Sequence, residues 1–266
     1  MTDFVREYRK IIYVETQQYY NSGIMPKPLP SKKSVYMPRT WINVDPTIKT
    51  EFHVYNMDTL DCAIMLSEKY PSSKICVLNM ANPHHAGGGV ENGAIAQEES
   101  IFRRSNYFQT LTQDLYPIKA NELIYSPKVH VSRRSEKDNF TYYANVNINK
   151  GYYFSFIASC APIDPVLNAY TYNNYYKLMY NKVCHILDVA IENNHDCVLL
   201  GALGCGAFNN PKEIVAKIFS EVVLNERKYN GFFKEVSFAI LKNVYGKGNV
   251  GEVDNFDVFG KYFPQS

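Results

Sequence analysis

The sequence predicts an α/β protein with a mixed, mostly parallel central sheet covered by helices, and three observations carry that prediction. Short apolar runs with the length and branching of buried strands, Ile75-Cys76-Val77-Leu78 and Cys197-Val198-Leu199-Leu200, alternate with longer stretches of helical periodicity. Both runs break into glycine loops, with Gly87, Gly88 and Gly89 after the first and Gly201, Gly204 and Gly206 after the second. A strand–helix–strand succession over 51–80 completes the pattern, which belongs to parallel sheets buried on both faces. At 266 residues, 46% of them hydrophobic and 20% charged, the chain has material for one large domain over 1–266. Within it, 1–50 reads as an N-terminal helix and extended arm, and 51–266 as an α/β/α core.

In chain order, Phe4 to Tyr20 places Phe4, Val5, Tyr8, Ile11, Ile12 and Tyr19 at roughly helical spacing and ends at Asn21-Ser22-Gly23. Pro26, Pro28, Pro30 and Pro38 make an extended connector, an arm wrapping the domain. Glu51 to Asn56 alternates like a strand, and Asp58 caps a helix whose apolar positions Leu60, Ala63, Ile64 and Leu66 keep their spacing to Tyr70. After the strand at 75–80 a helix is expected from about Ala94 to Leu111, followed by the apolar run Leu123-Ile124-Tyr125. The segment 129–150, with Arg133, Arg134, Glu136, Lys137 and Asp138, reads as a solvated hairpin or loop without chemistry. Tyr152 to Ala158 is a strand. Asn168 to Asn193 is a long helix with Ala169, Leu178, Val183, Ile186, Leu187 and Ala190 inward. Asn210-Pro211 reads as an N-cap and first-turn proline of the next helix. Val236 to Leu241 is a further strand, and Phe256 to Phe263 a last strand or short helix. The strands at 75–80 and 197–203 are expected side by side, bringing both glycine loops to one pocket.

Charge excludes little: a net +2 and a pI near 8.1 give no pull toward nucleic acid or anionic membranes. No run approaches the roughly 18 apolar residues of a transmembrane helix, and MTDFVREYRK is too polar for a secretory leader, so a cytoplasmic protein is expected. Cys62, Cys76, Cys160, Cys184, Cys197 and Cys205 lack metal-binding spacing and read as reduced core thiols. Adjacent histidines rarely face one ion, so His84-His85 is not read as a metal site. The 22 Tyr are read as a compositional bias of the source genome. There is no Walker motif, and no G-x-G-x-x-G is followed at the right distance by a ribose-reading acid, which removes the usual NTPase and dehydrogenase readings.

The chemistry concentrates in two places. Gly87-Gly88-Gly89 can take positive φ and expose N–H donors to a ligand at backbone distance, and Gln97-Glu98-Glu99 follows seven residues later at a helix start. A triple glycine alone is commonly a surface loop, and glutamates at a helix N-terminus commonly just complement its dipole. Joined at this spacing after a buried strand they are far more specific. The second place, CVLLGALGCGAFNNPKEIVAKIF, is strand, glycine loop and helix N-terminus, which binds phosphate through backbone donors.

The GGG-x7-QEE arrangement, set in VLNMANP and NGAIAQEES, resembles the signature of poly(ADP-ribose) glycohydrolases of the microbial type. The resemblance is strongest over 75–108 and 197–219 and runs through nearly the whole chain. It implies a macrodomain-like fold that binds ADP-ribose, Glu99 as the catalytic acid, and Glu98 holding the ribose beside the scissile bond. It further implies a ribose and glycine-loop set of Asn82, Gly87, Gly88, Gly89 and Gln97. Gly204, Cys205, Gly206, Ala207 and Phe208 would cradle the diphosphate, with Phe208 packed on the ribose. Two positions depart from the family pattern: Ala86 stands for the usual proline before the glycines, and Leu203 where tryptophan is frequent.

Hydrolysis of a ribose–ribose bond passes through an oxocarbenium-like transition state and needs an acid for the leaving oxygen and a base for water. Neighbouring side chains diverge by about 100° on a helix, so one glutamate, Glu99, is expected to do both jobs with its pKa raised by burial. No cofactor or metal is expected. The partners are poly(ADP-ribose) or ADP-ribosylated protein, with ADP-ribose as product and no membrane or direct nucleic-acid contact, and the protein is expected to be a monomer. The alternatives are an ADP-ribose reader without turnover and a hydrolase of mono-ADP-ribosylated substrates.

Overall fold

The computed structural model describes every residue except 1–2, 24, 26, 41–44, 46, 144–150, 167, 226–228, 230, 243–252 and 265–266. Its elements are α1 Asp3–Asn21, β1 Lys32–Val35, β2 Glu51–Tyr55, α2 Thr59–Lys69, β3 Ile75–Met80, α3 Gln97–Arg104, β4 Glu122–Val131, β5 Tyr152–Ser159, α4 Tyr172–Glu192, β6 Cys197–Leu200, α5 Lys212–Ser220, β7 Glu235–Ala239 and α6 Asn255–Phe259. The strands form a mixed, mostly parallel seven-stranded sheet flanked by helices, the fold class expected. Two compact units are present, one of residues 1–34 with 79–159 and the other of 35–78 with 160–266.

In the second unit the strand order is β3-β6-β7-β2. β3 pairs parallel to β6 through Ile75–Cys197, Cys76–Val198 and Val77–Leu199, so the strands at 75 and 197 are neighbours, as expected. β6 and β7 pair in parallel, as do β7 and β2. The apolar runs are buried on both faces, which is why they show no alternation: Val77, Leu199 and Phe238 are fully enclosed. Asp58 caps α2 as the sequence indicates, accepting from the N–H groups of Leu60 (2.8 Å) and Asp61 (3.2 Å). A phenylalanine cluster closes the core, with Phe238 at 5.3 Å from Phe219, 5.2 Å from Phe259 and 4.7 Å from Phe263 between ring centroids. The long helix α4 begins at Tyr172 with Thr171 as N-cap, and Ala169 falls outside it with φ at +55°. The C-terminal segment is the short helix α6.

In the first unit β4 and β5 are antiparallel, and β1, which the sequence reads only as connector, lies beside β4. Pro26 lies outside the described residues. α1 forms where expected, but its buried face is Arg9, Ile12, Tyr13, Thr16 and Tyr20, while Phe4 and Ile11 are exposed. Polar partners turn the helix: the Arg9 guanidinium pairs with Glu136 at 3.0 Å, and Thr16 Oγ1 donates to Arg103 O at 2.7 Å. The segment from 129 is therefore more than a solvated loop. β4 continues to Val131, and Arg133 is buried, donating to Glu15 Oε2 at 3.0 Å and Phe140 O at 3.1 Å. Residues 144–150 of that expectation lie outside the described residues. The helix expected to reach Leu111 stops at Arg104. Ser105 is extended and bridges to Val131, and Arg104 O accepts from Ser132 N at 2.9 Å, so strand-like partners end the helix.

Candidate active site

In the first unit, β3 ends at Met80 and the chain turns at once. Asn82 Oδ1 accepts from His84 N (2.8 Å) and His85 N (3.0 Å), an Asx turn that starts the loop. Gly87 and Gly88 take φ of +78° and +58°. A Cβ on Gly87 would stand 2.6 Å from the Phe102 ring, and one on Gly88 would stand 2.5 Å from Glu99 Oε1 and 3.2 Å from Glu98 Oε2. Only glycine fits, because the loop lies directly on the two carboxylates.

α3 starts without a side-chain cap, and its first-turn residues reach back to the loop. Gln97 Oε1 accepts from Met80 N at 2.8 Å and ties the helix to the strand end. Both oxygens of Glu98 are anchored: Oε1 accepts from Asn79 Nδ2 (3.1 Å) and Gly87 N (3.3 Å), and Oε2 from Asn82 N (2.7 Å). Burial pushes its carboxyl up to about 8, against the pull of those three donors and with a further push from the Glu99 carboxylate beside it. Glu99 Oε1 accepts from Gly89 N at 2.9 Å, whereas Glu99 Oε2 is buried with no hydrogen-bond partner among the described residues. The two carboxylates do not diverge as successive helix positions would. Both bend toward the donors of the strand end and the loop, Asn79, Asn82, Gly87 and Gly89, and converge beneath Gly88. Asn79 and Gln113 are the residues that sequence reading missed here. Asn79 is fully buried with its Oδ1 unpartnered, and its signal was a polar residue inside an apolar strand.

In the second unit, the loop after β6 turns through Leu203 N to Gly201 O (2.8 Å) and Cys205 N to Ala202 O (3.0 Å). Gly204 has φ at +78°, and a Cβ there would meet Ala161 Cβ at 2.4 Å. The N–H groups of Gly206, Ala207 and Phe208 have no acceptor among the described residues, giving three successive donors just before α5. Such a run, followed by a helix N-terminus, suits an anion. The N-cap of α5 is Pro211, not Asn210. Asn210 faces inward instead: Nδ2 donates to Pro162 O (2.7 Å), Phe208 O (3.0 Å) and Gly204 O (3.1 Å), and Oδ1 accepts from Tyr175 OH (2.8 Å), so it braces the loop from within.

His84 and His85 are on the exposed side of the first loop. Among the described residues, the donors near enough to share an ion are Glu51, His53 and Glu235 in the second unit. The Lys69 ammonium already bonds Glu51 Oε2 at 2.7 Å and Glu235 Oε2 at 2.8 Å, which makes this an ion-pair cluster. No helix among the described residues is long and apolar enough to cross a membrane.

Residues 27–134 match the model of the microbial-type PARG catalytic domain, a span that contains the glycine loop, Glu98 and Glu99 but not the loop at 204–208. Among solved structures the chain is similar to a poly(ADP-ribose) glycohydrolase from Thermomonospora curvata at 23% identity, covering 97% of this chain and 100% of that one with a TM-score of 0.79. The same enzyme bound to the inhibitor ADP-HPD matches at 24% identity and a TM-score of 0.78, with the same coverage. The poly(ADP-ribose) glycohydrolase from Deinococcus radiodurans in complex with ADP-ribose matches at 26% identity over 81% of this chain and 85% of that one, with a TM-score of 0.67. No curated protein sequence matches the chain.

Proposed function

We propose that this chain, matched over 27–134 by the microbial-type PARG catalytic domain and folded like the bacterial enzymes, is a glycohydrolase that cleaves the ribose–ribose O-glycosidic bonds of poly(ADP-ribose) and releases ADP-ribose. The observation that carries the reading is the state of Glu99, one oxygen anchored to the loop by Gly89 N–H and the other buried and uncommitted. A carboxyl placed so has a fixed direction and a free oxygen for proton transfer.

Glu99 Oε2 delivers a proton to the departing ribose oxygen as the bond from the anomeric carbon breaks, leaving an oxocarbenium-like ribose. The same oxygen then takes a proton from the water that attacks that carbon, which regenerates the acid. Glu98, drawn toward the neutral form by burial, holds the ribose hydroxyls beside Asn82, and the Gly87–Gly89 backbone wraps the ribose. The diphosphate is assigned to Gly204, Cys205, Gly206, Ala207 and Phe208, supported by the three unsatisfied N–H groups there. Phe208 packs on the ribose, and Gln97 acts through the strand end it holds. No step calls for a metal. We read 1–266 as one functional domain and a monomer working in the cytoplasm, in keeping with six free cysteines of which five are buried.

Incubation of purified protein with labelled poly(ADP-ribose), with products separated by chromatography, tests the reading. Release of ADP-ribose by the native chain, and its fall by roughly 10²- to 10⁴-fold in Glu99→Gln with ADP-ribose affinity retained, is the expected result. Binding without release by the native chain would make it a reader. Turnover confined to mono-ADP-ribosylated protein would replace the polymer as substrate.

A further inference from the structure

We propose that Gln113 is a positioning residue for the reaction: its amide clamps the outer backbone of the glycine loop and holds Gly87–Gly89 on the two carboxylates. Gln113 opens a 3-10 turn, Gln113–Leu115, and its side chain makes a two-point pairing with the loop. Ala86 N–H donates to Gln113 Oε1 at 3.1 Å, and Gln113 Nε2 donates to His84 O at 2.8 Å. One primary amide thus stands in for the edge of a neighbouring strand. Five residues on, Ile118 N–H donates to Pro83 O at 2.9 Å, a third bond between the same two stretches.

The loop is therefore held from two sides. Residues 83–86 are fixed from outside by the 113–118 stretch, and Gly87 and Gly89 are fixed from inside, by Glu98 Oε1 at 3.3 Å and Glu99 Oε1 at 2.9 Å. Three consecutive glycines have the largest backbone freedom of any tripeptide, so their placement depends on what holds the flanks. The clamp also uses the feature that sets residue 86 apart: alanine has an N–H, and a proline there would have none. Where proline would stiffen the approach to the glycines covalently, this chain does it with a hydrogen-bonded pair. If the flank loosens, the Gly89 N–H no longer fixes Glu99, and a carboxyl displaced by a fraction of an ångström transfers its proton poorly.

Two measurements test this, and only the second rests on the proposed glycohydrolase activity. Hydrogen exchange followed by mass spectrometry compares the native chain with Gln113→Ala. Exchange of the peptide spanning 83–90 should quicken by about fivefold or more, with protection elsewhere and the melting temperature unchanged, because Gln113 is exposed and buries nothing. Unchanged exchange at 86–89 overturns the clamp, as does a loss of protection spread across the fold. In turnover of poly(ADP-ribose), Gln113→Ala should lower kcat roughly tenfold and leave KM within about twofold. A fall in KM-limited binding with kcat intact would count against positioning. The partner variant Ala86→Pro closes the cycle: with the N–H gone, Gln113→Ala should cost far less than it does in the native background. Equal cost in both backgrounds refutes the pairing. A native chain without turnover on the polymer would remove the functional reading while the exchange result still decided the clamp.

Discussion

Gly88 has no room for a side chain because Glu99 occupies the space: a Cβ there would lie 2.5 Å from Glu99 Oε1, at a φ of +58° that L-residues rarely adopt. Gly88→Ala must therefore push either the loop or the carboxylate aside. Turnover of poly(ADP-ribose) should fall by about 10²-fold, with a stability loss of only ~1–2 kcal/mol by urea titration. Activity within twofold of the native chain would mean that the contact is not part of the working geometry.

Stability should peak near pH 6.5, and the sign follows from four buried groups. Burial holds His130, His185 and His195 down to about 4, below the ordinary 6.5, so as pH falls through that window the unfolded chain gains three protons that the folded one resists. Glu98 works the other way: raised to about 8 from 4.5, it favours the fold while protonated and loses that contribution as pH rises through 8. Between about 4.5 and 6.5 three protons outweigh one and stability rises, and between 6.5 and 8 only Glu98 remains and stability falls. Melting temperature against pH measures both limbs. Glu98→Gln should flatten the alkaline limb and leave the acid limb in place, and an unchanged alkaline limb would remove Glu98 as its cause.

ADP-ribose should bind with the same affinity in excess chelator as without it. Backbone N–H groups of Gly206, Ala207 and Phe208 and the start of α5 supply the positive potential for the diphosphate, and Lys69 already neutralises the one carboxylate–histidine group found among the described residues. Calorimetry decides it. Binding lost in chelator and restored by zinc or magnesium would bring His84 and His85 forward as ligands.

Phe238→Ala should destabilise the chain by about 3–5 kcal/mol, because the ring is fully buried and three phenylalanines pack on it. Denaturant titration gives the number. A cost under about 1 kcal/mol would show that the cluster collapses around the gap.

How far the sequence could be read depended on where the determining partner sat. That Gly87–Gly89 lie close to Glu98 and Glu99 was legible because these residues are within 13 positions of one another. β2, α2, β3 and β6 were legible from local periodicity and a local cap. The face of α1 was not, since Arg9 is buried on account of Glu136, 127 residues away, and a pattern of apolar positions cannot see such a partner. The same holds for the end of α3, set by Ser132 and Val131, and for Asn210, whose side chain serves the inside of its own loop. The divergence expected of Glu98 and Glu99 failed for another reason. Helix geometry fixes where a Cβ points, but the further side-chain torsions let each glutamate turn back toward the N–H groups of the glycine loop.

Each compact unit is assembled from two separated stretches, 1–34 with 79–159 and 35–78 with 160–266. No single cut can release either one whole: cleavage after Ser34 divides the first, and cleavage after Ser159 leaves 35–78 stranded on the wrong fragment. During synthesis, the residues that make up the unit carrying Glu98 and Glu99 have all been added by Ser159, while 35–78 still awaits the last hundred residues that complete its own unit. Until then the nascent chain carries β2 and α2, with Val54, Leu60 and Leu66, ahead of the segments that enclose them. That interval is when exposure to proteases and aggregation should be greatest.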